Sequence, residues 1–396
     1  TLLIAVGAGT GVGMNALVSR SLGEKNRKQA DRIATNGAFI YILSYFLFLI
    51  LGFTVVRPFY ASQTGSADQE IMTMGIEYLS TVMIFSFGLF TQFFFERLLT
   101  STGKTIFSMT SQLTGAVTNI ILDPILIFGL CGAPRMGVAG AAVATVVGQI
   151  VAAIVGLIVN IKCNHDIHIH RKNIRWDPIV AKEIYRVGIP SIIMQSISSV
   201  MTFGMNKILF VFTPTATAVF GAYFKIQSFV FMPIFGLNNG MVPIISYNYG
   251  AARPQRVWKT IRLSNITAMV IMVVGFTIFQ LFPSTLLGLF DASETMLAIG
   301  VPALRIISVS FLLAGFCIIA GSVFQAIGNP VYSLIVSVCR QMVVLLPVAW
   351  LLSRTGRLEL VWWSFPIAEV MSFTLSTIFL RRTVKSANEV MNSSAD

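Results

Sequence analysis

Apolar residues run along this chain in long unbroken blocks set apart by short polar segments. Blocks of about 20 mostly apolar residues, the length a helix needs to cross a bilayer, occur at about 1–19, 33–56, 76–98, 106–130, 138–161, 184–212, 216–245, 263–283, 298–325, 332–352 and 361–380. Continuous runs predict helices, because a membrane-spanning β-barrel would show roughly ten-residue segments of alternating polarity instead. The pattern predicts an all-α polytopic membrane protein with eleven spans.

The polar punctuation between the blocks repeats. Gly9, Gly13, Met14, Ser19 and Gly23 stand 227 positions before Gly236, Gly240, Met241, Ser246 and Gly250, and basic Arg32 stands the same distance before basic Lys259. Gly103 and Ser108 precede Gly328 and Ser333 by 225, the change expected from a short loop deletion. Self-similarity at this period predicts two bundles built from one unit, as in many transporters. The second copy has about one more helix ahead of the matched segment, near 183–212, whereas the first copy opens within it at Thr1. Two six-helix bundles, twelve helices in all, are therefore expected of the intact protein, with the first helix missing here. The expected organisation is an N-terminal bundle over 1–161, a cytoplasmic linker over 162–183, a C-terminal bundle over 184–380 and a cytoplasmic tail over 381–396. Within the linker, Trp176-Asp177-Pro178 reads as an interfacial helix start.

Composition agrees with this class: 55% of residues are apolar and 11% charged, and the mean hydropathy is +0.79. The formal charge of +12 raises the question of a polyanionic partner, and the placement of the charges answers it. Of 28 Lys and Arg, four lie well inside the blocks (Lys207, Lys225, Arg305, Arg340) and four in one set of alternate loops (Arg57, Arg135, Arg354, Arg357), which leaves twenty in the other set when Arg97 and Arg186, at block ends, are counted with the loops they adjoin. That asymmetry follows the positive-inside rule and places the loops after Gly23 and Gly250, and the C-terminus, in the cytoplasm. The basic charge reflects topology, so no nucleic-acid partner is expected. Cys131, Cys163, Cys317 and Cys339 have no short CxxC spacing and read as free thiols. His165, Asp166, His168 and His170 resemble a ligand cluster, but beside Arg171 and Lys172 in a long loop they read as a solvated linker, and no metal site is expected.

Ionisable residues inside a membrane are costly and therefore informative. Asp123 lies in Asn119-Ile120-Ile121-Leu122-Asp123-Pro124, with Asn119 one turn earlier on the same helical face. Pro124 has no N–H, so the carbonyl of Ile120 lacks its helical donor. Carboxylate, amide oxygen and freed carbonyl together suit Na⁺, or a proton on the carboxylate. The alternative is an Asp satisfied by helix–helix hydrogen bonds. Pro347 stands near the equivalent place in the second copy without an acid. Lys207, Lys225, Arg305, Arg340 and Glu369 are expected to face the bundle interior, either as ion pairs or toward a substrate. Glu369, Lys225 and Arg305, with Gln227 and Asn238, make up the candidate substrate cavity. Glu96 and Arg97, near a cytoplasmic helix end, are expected to form a snorkelling interfacial pair.

The run Glu96-Arg97-Leu98-Leu99-Thr100-Ser101-Thr102-Gly103-Lys104-Thr105, then Asn119 to Pro124, then Gly137-Val138-Ala139-Gly140-Ala141-Ala142-Val143-Ala144-Thr145, resembles the multidrug and toxic compound extrusion (MATE) family, its bacterial branch most of all. The loops Ser21-Leu22-Gly23-Glu24-Lys25-Asn26 and Tyr247-Asn248-Tyr249-Gly250-Ala251 carry the same resemblance, which covers nearly the whole chain. It implies two bundles that open alternately to either side and export small organic cations or other xenobiotics in exchange for H⁺ or Na⁺, without a further cofactor. It also implies that Asn119 and Asp123 help bind the coupling cation, with Thr145 on the next helix as a neighbour, in a multi-pass protein of a bacterial inner or plasma membrane. A monomer in the lipid bilayer is expected. The acid that the family carries on its first helix would precede Thr1. A flippase for lipid-linked sugars shares the two-bundle shape and is the alternative, though it should hold more cations in its cavity. An intramembrane enzyme is not expected, since the blocks contain no paired His, Asp or Glu at helical spacing.

Overall fold

The computed structural model describes residues 2–63, 69–167 and 176–393. Among these, every regular element is helical, as the bilayer demands: with no water to bond it, a spanning backbone must satisfy its own N–H and C=O groups. Among the described residues nine helices are long and apolar enough to span, and the number rises to eleven when each of two bent pairs counts as one span. The chain divides into two compact units, Thr1–Gly188 and Ile189–Asp396.

The first unit contains α1 (Leu2–Gly23), α2 (Arg27–Thr54), α3 (Val56–Gln63), α4 (Gln69–Ile84), α5 (Phe87–Ser101), α6 (Thr105–Phe128), α7 (Gly137–Cys163) and the start of α8 (Pro178–Phe210). Its core is Met14, Val18, Ile33, Ile40, Tyr41, Phe90, Phe94 and Ile184. The sequence places a helix start at Trp176-Asp177-Pro178, and α8 does begin there. Asp177 Oδ1 accepts from Ile179 N at 2.9 Å, Arg32 pairs with the same carboxylate, and Asn36 Oδ1 accepts from Asp177 N at 2.8 Å. His168, His170, Arg171, Lys172 and Arg175 lie outside the described residues. Asp166 of the candidate ligand cluster instead receives Lys104 Nζ at 2.8 Å.

The second unit holds the rest of α8, then α9 (Pro214–Gly250), α10 (Pro254–Leu281), α11 (Pro283–Gly288), α12 (Glu294–Ser308), α13 (Phe311–Ile327), α14 (Pro330–Val338), α15 (Leu346–Ser353), α16 (Leu358–Trp362) and α17 (Ser364–Ser393). Phe220, Tyr223, Phe279, Phe311 and Trp362 are among the large side chains of its core. The segment expected as a tail is helical through Ser393, with Ala387 and Met391 buried and Trp258 Nε1 donating to Asn388 at 2.9 Å.

The repeat read from the sequence recurs in the internal geometry of each unit. Ser19 donates to the carbonyl of Ser101 and Ser246 to that of Ala326, both at 2.9 Å. Lys25 and Ala252 have φ of 59° and 50°, and Gly103 and Gly328 end their helices at φ of 78° and 93°. These are left-handed conformations in which glycine pays no Cβ penalty.

Two expected spans are broken. The run at 76–98 bends by 46° between α4 and α5, and that at 298–325 by 51° between α12 and α13. At the second break Gln280 Nε2 donates to Arg305 O at 2.8 Å and to Ser308 Oγ at 3.0 Å, and Ser310 Oγ donates to Ile307 O at 2.7 Å. Side chains that take ladder carbonyls in this way bend helices. A third run, 332–352, is continuous but passes through a π-helical stretch, Cys339–Leu345, just before Pro347. The missing N–H and ring bulk of Pro347 give the local reason for the wider turn.

Candidate functional site

Small residues decide the geometry around Asp123. A Cβ on Gly148 of α7 would lie 2.8 Å from Gly115 O and 3.1 Å from Asn119 Cβ, and one on Gly115 of α6 would lie 2.7 Å from Gly148 O. Two glycines facing each other let the backbones approach more closely than any larger residue allows. Ser111 ties the same pair by donating to Ala152 O at 2.7 Å.

This close approach brings the three expected site residues together. Asn119 Nδ2 lies 3.4 Å from Asp123 Oδ1 and 3.5 Å from Thr145 Oγ1. Thr145 donates its own hydrogen to Ala141 O at 2.9 Å, which leaves the lone pairs of Oγ1 toward the cluster. Both contacts from Asn119 are at the long limit of hydrogen bonding, so the carboxylate is weakly engaged. Asp123 is half-buried rather than deep within the bundle. Carboxylate, threonine oxygen, the amide oxygen of Asn119 and the carbonyl of Ile120 that Pro124 leaves without its donor make a set of hard oxygen ligands. Such a set can hold a small monovalent cation, or the carboxylate can hold a proton.

The proposed substrate residues find separate surroundings in the second unit. Lys225 is exposed, 5.8 Å from the centre of the Phe290 ring. Arg305 is also exposed, its Nε 3.3 Å from Gln280 O. Gln227 is half-buried on α9, and Asn238 on the same helix keeps a buried Oδ1 without a hydrogen-bond partner. Glu369, on α17, is buried and accepts from Arg340 Nη1 at 3.2 Å. Removing one member of a buried pair strands the other. Arg340→Gln is expected to lower the stability of the protein by about 2 kcal/mol, less than the ~3–5 kcal/mol of a dry pair because the guanidinium is partly solvated. Adding Glu369→Gln should recover most of that loss in thermal unfolding, whereas a further loss would mean that Glu369 bonds other groups.

Two expectations are corrected by position. Lys207 sits in the last turn of α8, exposed, and not in the bundle interior. Glu96 does not snorkel: it is 4% exposed, with Oε1 accepting from Gln92 Nε2 at 2.7 Å and Oε2 from Gln112 Nε2 at 3.0 Å. Gln112 lies two turns before Asn119 on one face of α6, so a second acid joins α5 to the helix that carries Asp123. The spacing of Gln112 and Asn119 was the available signal, and only the packing of α5 gave it meaning. The described residues contain no group of His, Cys, Asp and Glu arranged to hold a metal, and the four cysteines are free.

The MatE family model matches residues 1–125 and 190–351. The multidrug export protein MepA of Staphylococcus haemolyticus (strain JCSC1435) is 28% identical over 378 residues, covering 93% of this chain and 80% of that protein. MepA of Staphylococcus aureus (strain MRSA252) is also 28% identical, over 377 residues with the same coverage. The crystal structure of MATE in complex with MaL6 has a TM-score of 0.91 at 23% identity, covering 98% of this chain and 86% of that one. The structure of the MATE multidrug transporter DinF-BH has a TM-score of 0.87 at 32% identity, covering 96% and 84%.

Proposed function

The chain belongs to the MatE family, and from that membership we propose that it is a secondary active multidrug exporter that expels organic cations or other xenobiotics in exchange for H⁺ or Na⁺. The similarity to multidrug export proteins named MepA and to DinF-BH supports this reading. The observation that carries the coupling is the meeting of Asp123, Asn119 and Thr145 across α6 and α7. A cation or proton on Asp123 cancels its charge and so lowers the cost of holding that carboxylate at low dielectric. Occupancy therefore changes the free energy of any conformation that hides the site from water, which is the differential binding that an ion gradient needs in order to drive a cycle. Export by alternating access requires no chemistry on the substrate.

The flippase reading is not favoured. The relatives that the chain matches are multidrug exporters, and of its four intramembrane cations Arg340 is already paired with Glu369.

The test is efflux of a fluorescent organic cation such as a rhodamine dye from proteoliposomes under an imposed H⁺ gradient, then a Na⁺ gradient. One of the two should accelerate efflux above the gradient-free rate; no response to either would overturn the proposal. The Lys and Arg distribution supports cytoplasmic loops after Gly23 and Gly250 and a cytoplasmic C-terminus. An Asn26→Cys variant, altered at the N-cap of α2, is thus expected to resist an impermeant thiol reagent in intact cells and to react after permeabilisation. Labelling from outside would reverse the orientation.

A further inference from the structure

A cavity of about 410 Å³ opens between the ends of α8 and α15, and it belongs to neither the Asp123 cluster nor the expected substrate residues. Lys207 and Arg354 line it together with Ser353, Val211, Phe212 and Trp350. Lys207 lies in the last turn of α8 and Arg354 caps α15, so both cations stand where spanning helices stop, at the level of a membrane–water interface. Each is placed by an aromatic ring: Lys207 Nζ is 4.7 Å from the centre of Phe203, and Arg354 Cζ is 4.7 Å from that of Trp350. Neither is ion-paired with an acid among the described residues. The rings hold the two cations by their faces and leave N–H donors directed elsewhere.

Cations near helix C-termini also answer the helix dipole, and the magnitudes decide whether that role exhausts them. Two helix ends contribute about −0.5 charge each, against two full positive charges, so an excess of about +1 remains in one cavity. A phosphodiester carries a single negative charge and several acceptor oxygens. The volume falls within the ~300–1,000 Å³ range of small-ligand sites, which is room for a headgroup and not for a whole lipid. Acyl chains would have to lie outside, and the surface there suits them: Val211 is 83% exposed, Phe210 64%, Leu351 59% and Trp350 49%. Basic pockets between spanning helices hold anionic headgroups by charge, and interfacial Trp sits at headgroup level; on the topology supported by the Lys and Arg distribution, this cavity faces the outer leaflet.

We propose that this cavity binds the headgroup of an anionic phospholipid, its phosphodiester held between Lys207 and Arg354 and its chains running along the apolar ends of α8 and α15. A zwitterionic choline lipid fits less well, because its own ammonium enters a cavity already in positive excess.

The experiment is thermal unfolding of the delipidated chain in detergent, titrated separately with phosphatidylglycerol, with phosphatidylcholine of the same acyl chains and with inorganic phosphate. Phosphatidylglycerol is expected to raise the midpoint saturably and the other two to do little. Lys207→Gln with Arg354→Gln should weaken the apparent affinity for phosphatidylglycerol at least tenfold while keeping the lipid-free midpoint, and Arg57→Gln with Arg135→Gln should leave the affinity unchanged. If the first double variant is too unstable to titrate, Lys207→Gln alone is expected to weaken the affinity several-fold. Wild-type affinity in either variant, an equal response to phosphatidylcholine, or an equal response to inorganic phosphate would each overturn the proposal.

Discussion

Asp123→Asn protein is expected to insert into the membrane and unfold at the wild-type temperature, yet to lose gradient-driven efflux down to the rate of protein-free vesicles. The expectation rests on what the substitution keeps and what it removes. Asn has nearly the same volume as Asp and can still accept from Asn119 Nδ2, a contact already long at 3.4 Å, so little packing or hydrogen bonding is at stake. What vanishes is the ionisable oxygen. Without a negative charge the site gains nothing from a proton and little from Na⁺, and binding that does not differ between conformations shifts no equilibrium however tight it is. The measurement is efflux of a fluorescent organic cation from proteoliposomes under an imposed H⁺ or Na⁺ gradient, with the unfolding midpoint recorded on the same preparation. Wild-type efflux from Asp123→Asn would assign the carboxylate a purely structural role and move coupling to another buried acid, with Glu96 and Glu369 the next to test.

Gly148→Val should have the largest effect on stability. Even a Cβ at this position would lie 2.8 Å from the carbonyl oxygen of Gly115, and backbone cannot swing away as the end of a flexible side chain can. Overpacking a close-fitted contact costs about 1–3 kcal/mol, and because α6 and α7 must separate along their length the loss should reach at least the upper end of that range. Separation also withdraws Thr145 from Asn119, so residual folded protein should transport poorly. Gly221→Ala is the control: a Cβ there meets nothing within 4 Å, and in mid-helix Ala is preferred to Gly by about 1 kcal/mol. The unfolding midpoint of Gly221→Ala should match or exceed that of the wild type, while that of Gly148→Val falls well below. Equal midpoints for the two would mean that α6 and α7 adjust freely, and the close glycine contact would lose its role.

Three features of the site separate what could be read along the chain from what could not. Asn119 and Asp123 were legible because they are one turn apart on one helix and the helical period puts them on one face. Thr145 came only through the family resemblance, since nothing in residue spacing says which turn of α7 meets α6; the facing glycines determine that. Glu96 was misread, because an acid beside an arginine near a helix end looks the same whether it reaches for water or turns inward. Gln92 and Gln112 turn it inward, and Gln112 is on a different helix.

The sequence by itself determined the class of protein, the number of spans and their duplication. The bilayer imposes a one-dimensional rule, a fixed length of apolar chain with its own hydrogen bonds satisfied, and such a rule is written directly into the order of residues. Tertiary structure alone decided where spans bend, which cations are neutralised and which are left at an interface. The bend after Ser308 depends on Gln280 from a neighbouring helix, the neutralisation of Arg340 on Glu369 from another, and the position of Lys207 on where α8 ends. Each of these is set by groups far apart in the chain, whose distances exist only once the helices have packed.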